Sequence, residues 1–572
     1  MSESNIEQLF LAPESSIRLA MQTITDAPKH GLPSGIGLVV DGNGALLGVV
    51  TDGDLRRALL SGTSMDGTLK DIYTKDPIVF NADMSNAQIL DEIPQRLRDM
   101  GRYRGGVLEK IILVDASNKV ESVIDFVELW KSERALAKNV SVVGLGYVGL
   151  TLAVVLSDIG FDVTGIEKNS DIRSMLESGK PHFHEVGLQP MLQHHLGTNF
   201  RIHSAPLSES EVYILAVATP VQQDHKPSLT YLEQATRQVG KVLSYGDLVV
   251  IRSTVPLGTC RNVVIPLLEE ESGLKCGRDF SFAFAPERTI EGKALQELRT
   301  LPQVIGGFDD NSVQKATSLF REMSPNTISV GSLEAAEMVK LVNNTFRDVK
   351  FAFANELATL CERYNLDTVE IIRAANEGYP RDPVPIPSPG VGGACLKKDP
   401  YIFAQAAIQA EIPDTISLLA RKVNEYMPEL VAAKLLRAIE RQGKNPTECK
   451  LFLIGFAFKG EPETSDMRNS TSLDVLKALS GKVKEIRGYD PVVSREEIEA
   501  EGVVFQEIEE GFRGADCVAV LNNHRSYANI DIFRCLKSMN RPAVYGDFWY
   551  IFTPDEIMQI EQISYVGLGF QV

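Results

Sequence analysis

The stretch Pro389-Gly390-Val-Gly392-Gly393-Ala-Cys395-Leu-Lys-Lys398-Asp399 places a thiol, an ammonium and a carboxylate on one glycine-rich segment. Three glycines strip side chains from the loop and leave backbone N–H groups for a sugar or a phosphate. Lys398 beside Cys395 favours thiolate, the nucleophilic form. Most cysteines are inert core residues, and that reading suits Cys260, Cys361 and Cys517. It suits Cys395 poorly, because glycine-rich loops with paired charges are seldom core.

Further groups can serve such a nucleophile. Glu337, Lys340, Asn344 and Asp348 fall at i, i+3, i+7 and i+11, so they share one helix face. A polar stripe is commonly just the solvent side. Here Met338, Leu341, Val342 and Phe346 make the surroundings apolar, so part of the stripe is expected to be buried. Lys340 and Asn344 can then offer a cation and an amide to a developing oxyanion. Glu287, in Ala285-Pro286-Glu287-Arg288, can act as a base or order a water, or be a solvated loop acid. Lys459 in Phe456-Ala-Phe458-Lys459, with Arg468 in Asp466-Met-Arg468, reads as a second anion site or as a surface pair.

Gly144-Leu-Gly146-Tyr-Val-Gly149 follows the strand-like Val140–Val143 and opens a helical pattern. The first glycine allows a tight turn, the second lets the backbone approach a pyrophosphate, and the third allows close helix–strand packing. Glu167 ends the next strand, where an acid accepts from ribose hydroxyls and repels a 2′-phosphate. NAD is therefore expected rather than NADP. Thr219-Pro220 and Ser253-Thr254-Val-Pro256 follow strands of the same sheet, so their hydroxyls either line the cofactor crevice or sit in ordinary turns.

These residues need a scaffold of alternating strands and helices, and such alternation runs almost throughout the 572 residues. The fold class expected is α/β: two Rossmann-like doubly wound domains joined by a long central helix, preceded by an α+β pair. Residues 1–137 form the first section and end in a charged helical stretch, Leu129-Trp-Lys-Ser-Glu-Arg-Ala-Leu-Ala-Lys. Residues 138–331 form the cofactor domain, with strands at Val140–Val143, Val163–Ile166, Val212–Val217, Leu248–Arg252 and Ser281–Ala285. Residues 332–445 begin near Ser332 and contain neither Gly nor Pro until Gly378, which reads as one or two long helices spanning domains and supplying a subunit interface. Residues 446–572 restart with Leu451-Phe-Leu-Ile-Gly, Arg487-Gly-Tyr-Asp-Pro and Cys517-Val-Ala-Val-Leu, a second doubly wound sheet.

Composition narrows the partners. Lys and Arg number 58 against 76 Asp and Glu, a net charge of −18, which argues against polyanions: neither nucleic acid nor a membrane surface is an expected partner. Seven cysteines without a C-x-x-C pair suit a reducing compartment. The start Met1-Ser-Glu-Ser-Asn-Ile-Glu lacks a basic end and apolar core, and no apolar run approaches the roughly 20 residues a bilayer needs. A cytoplasmic protein is expected, with no metal site.

From Val140 onward the motifs resemble the UDP-glucose/GDP-mannose dehydrogenase family in order and spacing, over about three quarters of the chain. The resemblance implies an NAD-binding Rossmann domain, a dimerising central helix and a second Rossmann-like domain for the nucleotide sugar. It implies oxidation of C6 of a UDP-sugar twice, from alcohol to acid, with two NAD. Cys395 attacks the intermediate aldehyde to give a thiohemiacetal, then a thioester that is hydrolysed. Lys340 and Asn344 stabilise the oxyanion, Asp399 assists as base, and Glu287 supports hydrolysis. The cofactor set implied is Gly144, Gly146, Tyr147, Val148, Gly149, Glu167, Arg173, Thr219, Thr254, Lys398 and Arg468. The substrate set is Arg288, Lys340, Arg381 (across a dimer), Gly390, Gly392, Gly393, Phe458 and Lys459. Pro-Glu-Arg at 286–288 and Pro-Gly-Val-Gly-Gly at 389–393 are more like enzymes acting on UDP-N-acetylhexosamines (GlcNAc or ManNAc) than on UDP-glucose. Ala394 stands where Ser or His is usual, and Glu167 where Asp is. A non-catalytic nucleotide-sugar sensor is the reading from another class. Keeping Cys395, Lys340, Asn344 and Asp399 together speaks against it, because binding alone needs no nucleophile.

The first section carries a weak repeat. Gly48-Val-Val-Thr-Asp-Gly-Asp-Leu is echoed roughly 73 residues on by Ser122-Val-Ile-Asp-Phe-Val-Glu-Leu, each a strand running into an acid-capped helix. It resembles a CBS-domain pair, which implies an adenine nucleotide with Thr51, Asp54 and Asp125 at its ribose, serving regulation or only assembly.

Overall fold

The computed structural model describes residues 6–30, 32–84, 110–126, 139–222, 225–412 and 415–569, with 88, 89, 92, 93 and 96. They fall into two compact units, Met1–Leu136 and Ala137–Val572. The charged stretch from Leu129 and the continuation of the second repeat beyond Phe126 lie outside the described residues. Among the described residues no helix is long and apolar enough to cross a membrane.

The repeat of the first unit is visible in its hydrogen bonds. Strands Ile36–Val40 and Leu46–Thr51 pair antiparallel with a register shift between Val39 and Val40. Strands Lys110–Val114 and Val120–Asp125 pair likewise, with the shift between Leu113 and Val114. The offset is 110 − 36 = 74 residues. Both turns are closed by an aspartate, Asp41 accepting from Asn43 N and Ala45 N, Asp115 from Ser117 N and Lys119 N. Ile36, Leu38, Val40, Leu46 and Val49 share one core with Ile112, Val114, Val120 and Val123. Neither copy could bury these side chains alone. Thr51 and Asp54 cap the helix Asp52–Leu60 reciprocally: Asp54 N donates to Thr51 Oγ1 at 3.3 Å and Thr51 N to Asp54 Oδ2 at 2.9 Å. Asp125 pairs with Lys110 at 2.5 Å.

The second unit opens with an eight-stranded sheet. Its order is Phe200–His203, Asp162–Ile166, Asn139–Val143, Val212–Leu215, Leu248–Ile251, Ser281–Phe284, Gln303–Gly307, Thr327–Val330. Neighbours are parallel except Ser281–Phe284 against Gln303–Gly307. Strand order reverses between Asn139–Val143 and Val212–Leu215, which opens a crevice at their carboxyl ends. All five expected strands are present. The three not anticipated lie toward the sheet edges, and Gln303–Gly307 carries two glycines that hide its strand character.

Ser332 then caps the helix Leu333–Tyr364 by accepting from Ala335 N at 3.1 Å, and Asn365 ends it at φ +55°. This 32-residue helix packs along a second, Ile416–Arg441. Between them lies a buried polar seam. Arg421 Nη1 donates to Asp348 Oδ1 at 2.7 Å, Asn424 Nδ2 to the same oxygen at 2.9 Å, and Asn355 Nδ2 to Asn424 Oδ1 at 2.9 Å. The second helix feeds a six-stranded parallel sheet, Val504–Phe505, Glu485–Tyr489, Lys450–Ile454, Cys517–Val520, Ala543–Asp547, Ile563–Val566.

Candidate active site

At the crevice, Gly144 (φ +92°) makes the turn after the first strand, and Gly146 caps the helix Tyr147–Ile159, of which Val148 is the second residue. A Cβ on Gly149 would lie 1.8 Å from Gly144 O, so only glycine lets helix and strand close. A Cβ on Gly146 would meet nothing, leaving open space before a helix N-terminus. That space continues into a cavity of about 450 Å³ lined by Gly144, Gly146, Glu167, Lys168, Val217 and Tyr231, among others. Glu167 accepts from Leu145 N at 3.1 Å and Asn169 N at 2.9 Å, while Arg173 Nη1 donates to the Glu167 and Lys168 carbonyls at 2.8 Å. The acid thus sits against the glycine turn, where a ribose would meet it. These residues fit NAD, whose chemistry when bound is to accept a hydride.

Thr219 Oγ1 donates to Thr254 O at 2.6 Å and accepts from Lys398 Nζ at 3.1 Å. The second bond joins the cofactor crevice to the cysteine loop, 179 residues away in sequence. Cys395 is exposed at the mouth of the cleft, and its carbonyl accepts from Lys398 N and Asp399 N as the helix Asp399–Gln409 begins. Asp399 is fully buried. Its Oδ2 accepts from Asn344 Nδ2 at 2.5 Å, and its Oδ1 has Lys398 Nζ at 3.7 Å.

Two expectations are corrected here. The thiol of Cys395 is raised, not lowered: crowding of the side chain by protein comes first and Asp399 second, and together they outweigh Lys340 and Lys398. Nor do the loop glycines keep a free cradle. Gly393 N donates to Asn469 O at 3.1 Å, and a Cβ on Gly393 would lie 2.9 Å from the Phe458 ring. A Cβ on Gly392 would lie 2.9 Å from Asn469 O. Gly390 (φ +116°) presses on Asn424 O, which Pro428 four residues on cannot reach with an N–H. Glycine here serves docking onto the second Rossmann-like domain.

The polar stripe is buried at Glu337, Lys340 and Asp348. Glu337 accepts from Gly258 N at 2.5 Å and Cys260 N at 2.9 Å, and Asp348 belongs to the inter-helix seam, so these two are structural. Asn344 reaches the cysteine loop through its bond to Asp399, and the charge of Lys340 acts on both Cys395 and Glu287. Arg381 lies outside the cluster, exposed and donating to Tyr379 OH at 3.3 Å.

The loop after Ser281–Phe284 forms the opposite wall. Arg252 Nη2 and Nε donate to Glu287 Oε2 at 2.6 and 3.1 Å, and Glu287 Oε1 accepts from Arg288 N at 2.6 Å and Thr289 N at 2.7 Å. Burial by itself raises the Glu287 carboxyl, but Arg252, the Thr289 N–H and Lys340 outweigh it and hold it below the ordinary value. The Arg288 guanidinium donates to Pro302 O. Tyr147 OH donates to Glu185, which also accepts from Gly292 N at 2.6 Å and Ala294 N at 2.8 Å, tying this loop to the cofactor helix. Lys459 Nζ donates to Glu291 O at 2.6 Å. Burial first, then Asp466, pushes the Glu291 carboxyl up to about 7, and burial brings Lys459 down to about 8. Arg468 forms a two-bond pair with Asp466, at 2.9 and 2.6 Å.

Arg252, Glu185 and Glu291 were not singled out from sequence. Glu291 carried a usable signal, one turn's spacing beyond Glu287 on the same loop. Buried Arg252 had only its place before Ser253-Thr254.

Comparisons with known proteins agree with this geometry. Residues 138–324 match the NAD binding domain of the UDP-glucose/GDP-mannose dehydrogenase family, 334–426 its central domain and 452–554 its UDP binding domain, while 5–61 match a CBS domain. The UDP-N-acetyl-D-mannosamine dehydrogenase of Pyrococcus horikoshii is 36% identical over 411 residues, which is 71% of this chain and 94% of that one. A solved structure of the Pyrococcus horikoshii UDP-D-ManNAc dehydrogenase covers 75% of this chain and 99% of its own at TM-score 0.68 and 33% identity. A UDP-glucose dehydrogenase from Pyrobaculum islandicum covers 77% and 99% at TM-score 0.67 and 27% identity. The chain belongs to the UDP-glucose/GDP-mannose dehydrogenase family, an NAD-dependent UDP-sugar dehydrogenase with an N-terminal CBS domain.

Proposed function

We propose that the enzyme oxidises C6 of a UDP-N-acetylhexosamine from alcohol to uronate in two NAD-dependent steps. The observation that carries this is Cys395, exposed beside Lys340, Lys398 and the Asn344–Asp399 pair, on a loop bonded to the cofactor crevice through Thr219. An alcohol oxidation that stops at aldehyde needs no thiol. With one, the aldehyde carbon bonds to Sγ, the thiohemiacetal loses a second hydride to leave a thioester, and water releases the acid and the thiol. Lys340 and Asn344 face the oxygen that gains charge. Asp399 Oδ1 accepts no hydrogen bond among the described residues, so it is the carboxylate oxygen free to take a proton. Glu287 supports hydrolysis through its charge, because both its oxygens already accept two donors. Lys459, with Phe458 and Arg288, forms the sugar-nucleotide side; Arg468 serves the cofactor.

The hexosamine is supported by Pro-Glu-Arg at 286–288 and by the relative named for N-acetyl-D-mannosamine. UDP-glucose is the second reading, supported by the similar fit of the Pyrobaculum islandicum enzyme. Incubating the protein with NAD and UDP-ManNAc, UDP-GlcNAc or UDP-glucose, and counting NADH per sugar, tests both. Two per sugar with a hexosamine is expected; two with UDP-glucose alone overturns the hexosamine, and one per sugar overturns the thioester.

A homodimer is part of this reading. Val342, Phe346, Phe353, Leu360 and Tyr364 are exposed along one stripe of the central helix, a face suited to a second copy, which would bring Arg381 to the site. An adenine nucleotide at the CBS region, with Thr51, Asp54 and Asp125, and a cytoplasmic setting complete it. The paired hairpins support the first, and seven unpaired cysteines the second. Calorimetry with AMP, ADP and ATP that gives neither heat nor a change in rate overturns the nucleotide.

A further inference from the structure

Arg252 follows the strand Leu248–Ile251, directly before the Ser253-Thr254 turn of the crevice. Its side chain is 0% exposed. Burying a guanidinium costs several kcal/mol unless charge and donors are both matched, and apolar residues would fill the space as well or better. Here the match is complete. Nε and Nη2 serve Glu287 Oε2, Nη1 donates to Ala285 O and Gln303 Oε1 at 3.3 Å, and the guanidinium lies 5.3 Å from the Phe320 ring centre.

Glu287 is equally committed. A carboxylate offers about four lone-pair sites, and two donors at each oxygen occupy them. The charged groups that act on it are Arg252 from the sheet and Lys340 from the central helix; Arg288 and Thr289 of its own loop donate only backbone N–H groups. Lys340 in turn acts on Cys395.

We propose that Arg252 is a positioning residue for the oxidation: its two-pronged grip at 2.6 and 3.1 Å fixes the orientation of the buried Glu287 carboxylate in the wall of the reacting cleft. This rests on the proposed roles of Glu287 and Lys340 in the reacting cleft. Without the guanidinium, burial is no longer outweighed at Glu287, so its carboxyl rises and takes up a proton more readily as pH falls.

Arg252→Gln, Arg252→Lys, Glu287→Gln and Arg252→Gln/Glu287→Gln, assayed with NAD and the accepted UDP-sugar, test this through the pH dependence of kcat. For Arg252→Gln we expect an acid limb displaced to higher pH than in the wild type, with kcat at the acid end lowered roughly 10- to 100-fold relative to its own plateau. The limb should vanish in the double variant, and Arg252→Lys, with one prong in place of two, should place it at lower pH than Arg252→Gln. A loss uniform over pH, or a rise in KM for UDP-sugar with kcat kept, overturns the proposal. If Arg252→Gln does not fold, Arg252→Lys decides: an acid limb displaced upward from wild type supports it, an unmoved one overturns it. Wild-type turnover by Glu287→Gln removes instead the role of Glu287 itself, so the two failures are told apart.

Discussion

Asn344 Nδ2 donates to Asp399 Oδ2 at 2.5 Å, joining the central helix to the first residue of the helix that follows the cysteine loop. The bond orients Asp399 from one oxygen and leaves Oδ1 toward Lys398. Asp399→Asn keeps the shape and removes the acceptor charge. We expect kcat to fall by about 10²- to 10⁴-fold with KM for UDP-sugar within a few-fold. Asn344→Ala should lower kcat by roughly 10²-fold. Steady-state kinetics at saturating NAD check both, and a pure KM effect would contradict the assignment.

Cys395→Ser removes the thiol while keeping a hydroxyl of similar size. The alkoxide of serine is not accessible at neutral pH, so turnover should stop at or before aldehyde. NADH per sugar is then expected at one or below, and two per sugar would refute the thioester.

Affinity for the nucleotide end should depend on pH with a definite sign. Lys459 titrates near 8, so its ammonium is present below that value and lost as pH rises through it. Glu291, brought up to about 7, is neutral below that pH and becomes an anion above it. Both changes oppose a diphosphate at higher pH, so UDP binding by calorimetry should weaken continuously from about pH 6 to 9. Lys459→Gln should flatten the upper part and Glu291→Gln the lower. An unchanged profile in both variants would exclude these two groups.

Glu337 accepts from two backbone N–H groups at Gly258 and Cys260 while almost fully buried. Glu337→Ala orphans both donors, a loss of about 2–5 kcal/mol, whereas Glu337→Gln retains an acceptor and should lose less. Denaturant titration should rank wild type, Glu337→Gln, then Glu337→Ala. Equal stability of the two variants would count against the capping role.

The apolar stripe on the central helix predicts that Phe353→Glu sediments as a monomer where the wild type is a dimer. Arg381→Ala should leave sedimentation unchanged and raise KM for UDP-sugar, since within its own chain Arg381 is exposed and donates to Tyr379 OH. A wild-type monomer, or an unchanged KM, would remove the cross-dimer role.

The glycine turn at 144–149, the start of the helix at Ser332 and the cysteine loop were legible in sequence, because each depends on neighbours within one or two turns of chain. A missing Cβ, a capping hydroxyl or a gap in the glycine and proline spacing acts where it stands. The charge states were not legible, since they come from residues far apart in the chain. Lys398 beside Cys395 pointed to a lowered thiol, yet crowding and Asp399 prevail once the loop is docked. Glu287 read as a loop acid free to act as a base or to be solvated, whereas Arg252, 35 residues before it, occupies its Oε2 and two backbone N–H groups its Oε1. Lys459 and Glu291 meet across 168 residues, and their shared burial draws both toward neutrality near physiological pH. The sequence by itself determined which chemical groups this enzyme owns and the local turns that present them. Only the tertiary structure decided which are charged and which are free to react, because desolvation and Coulomb interaction depend on distance in space.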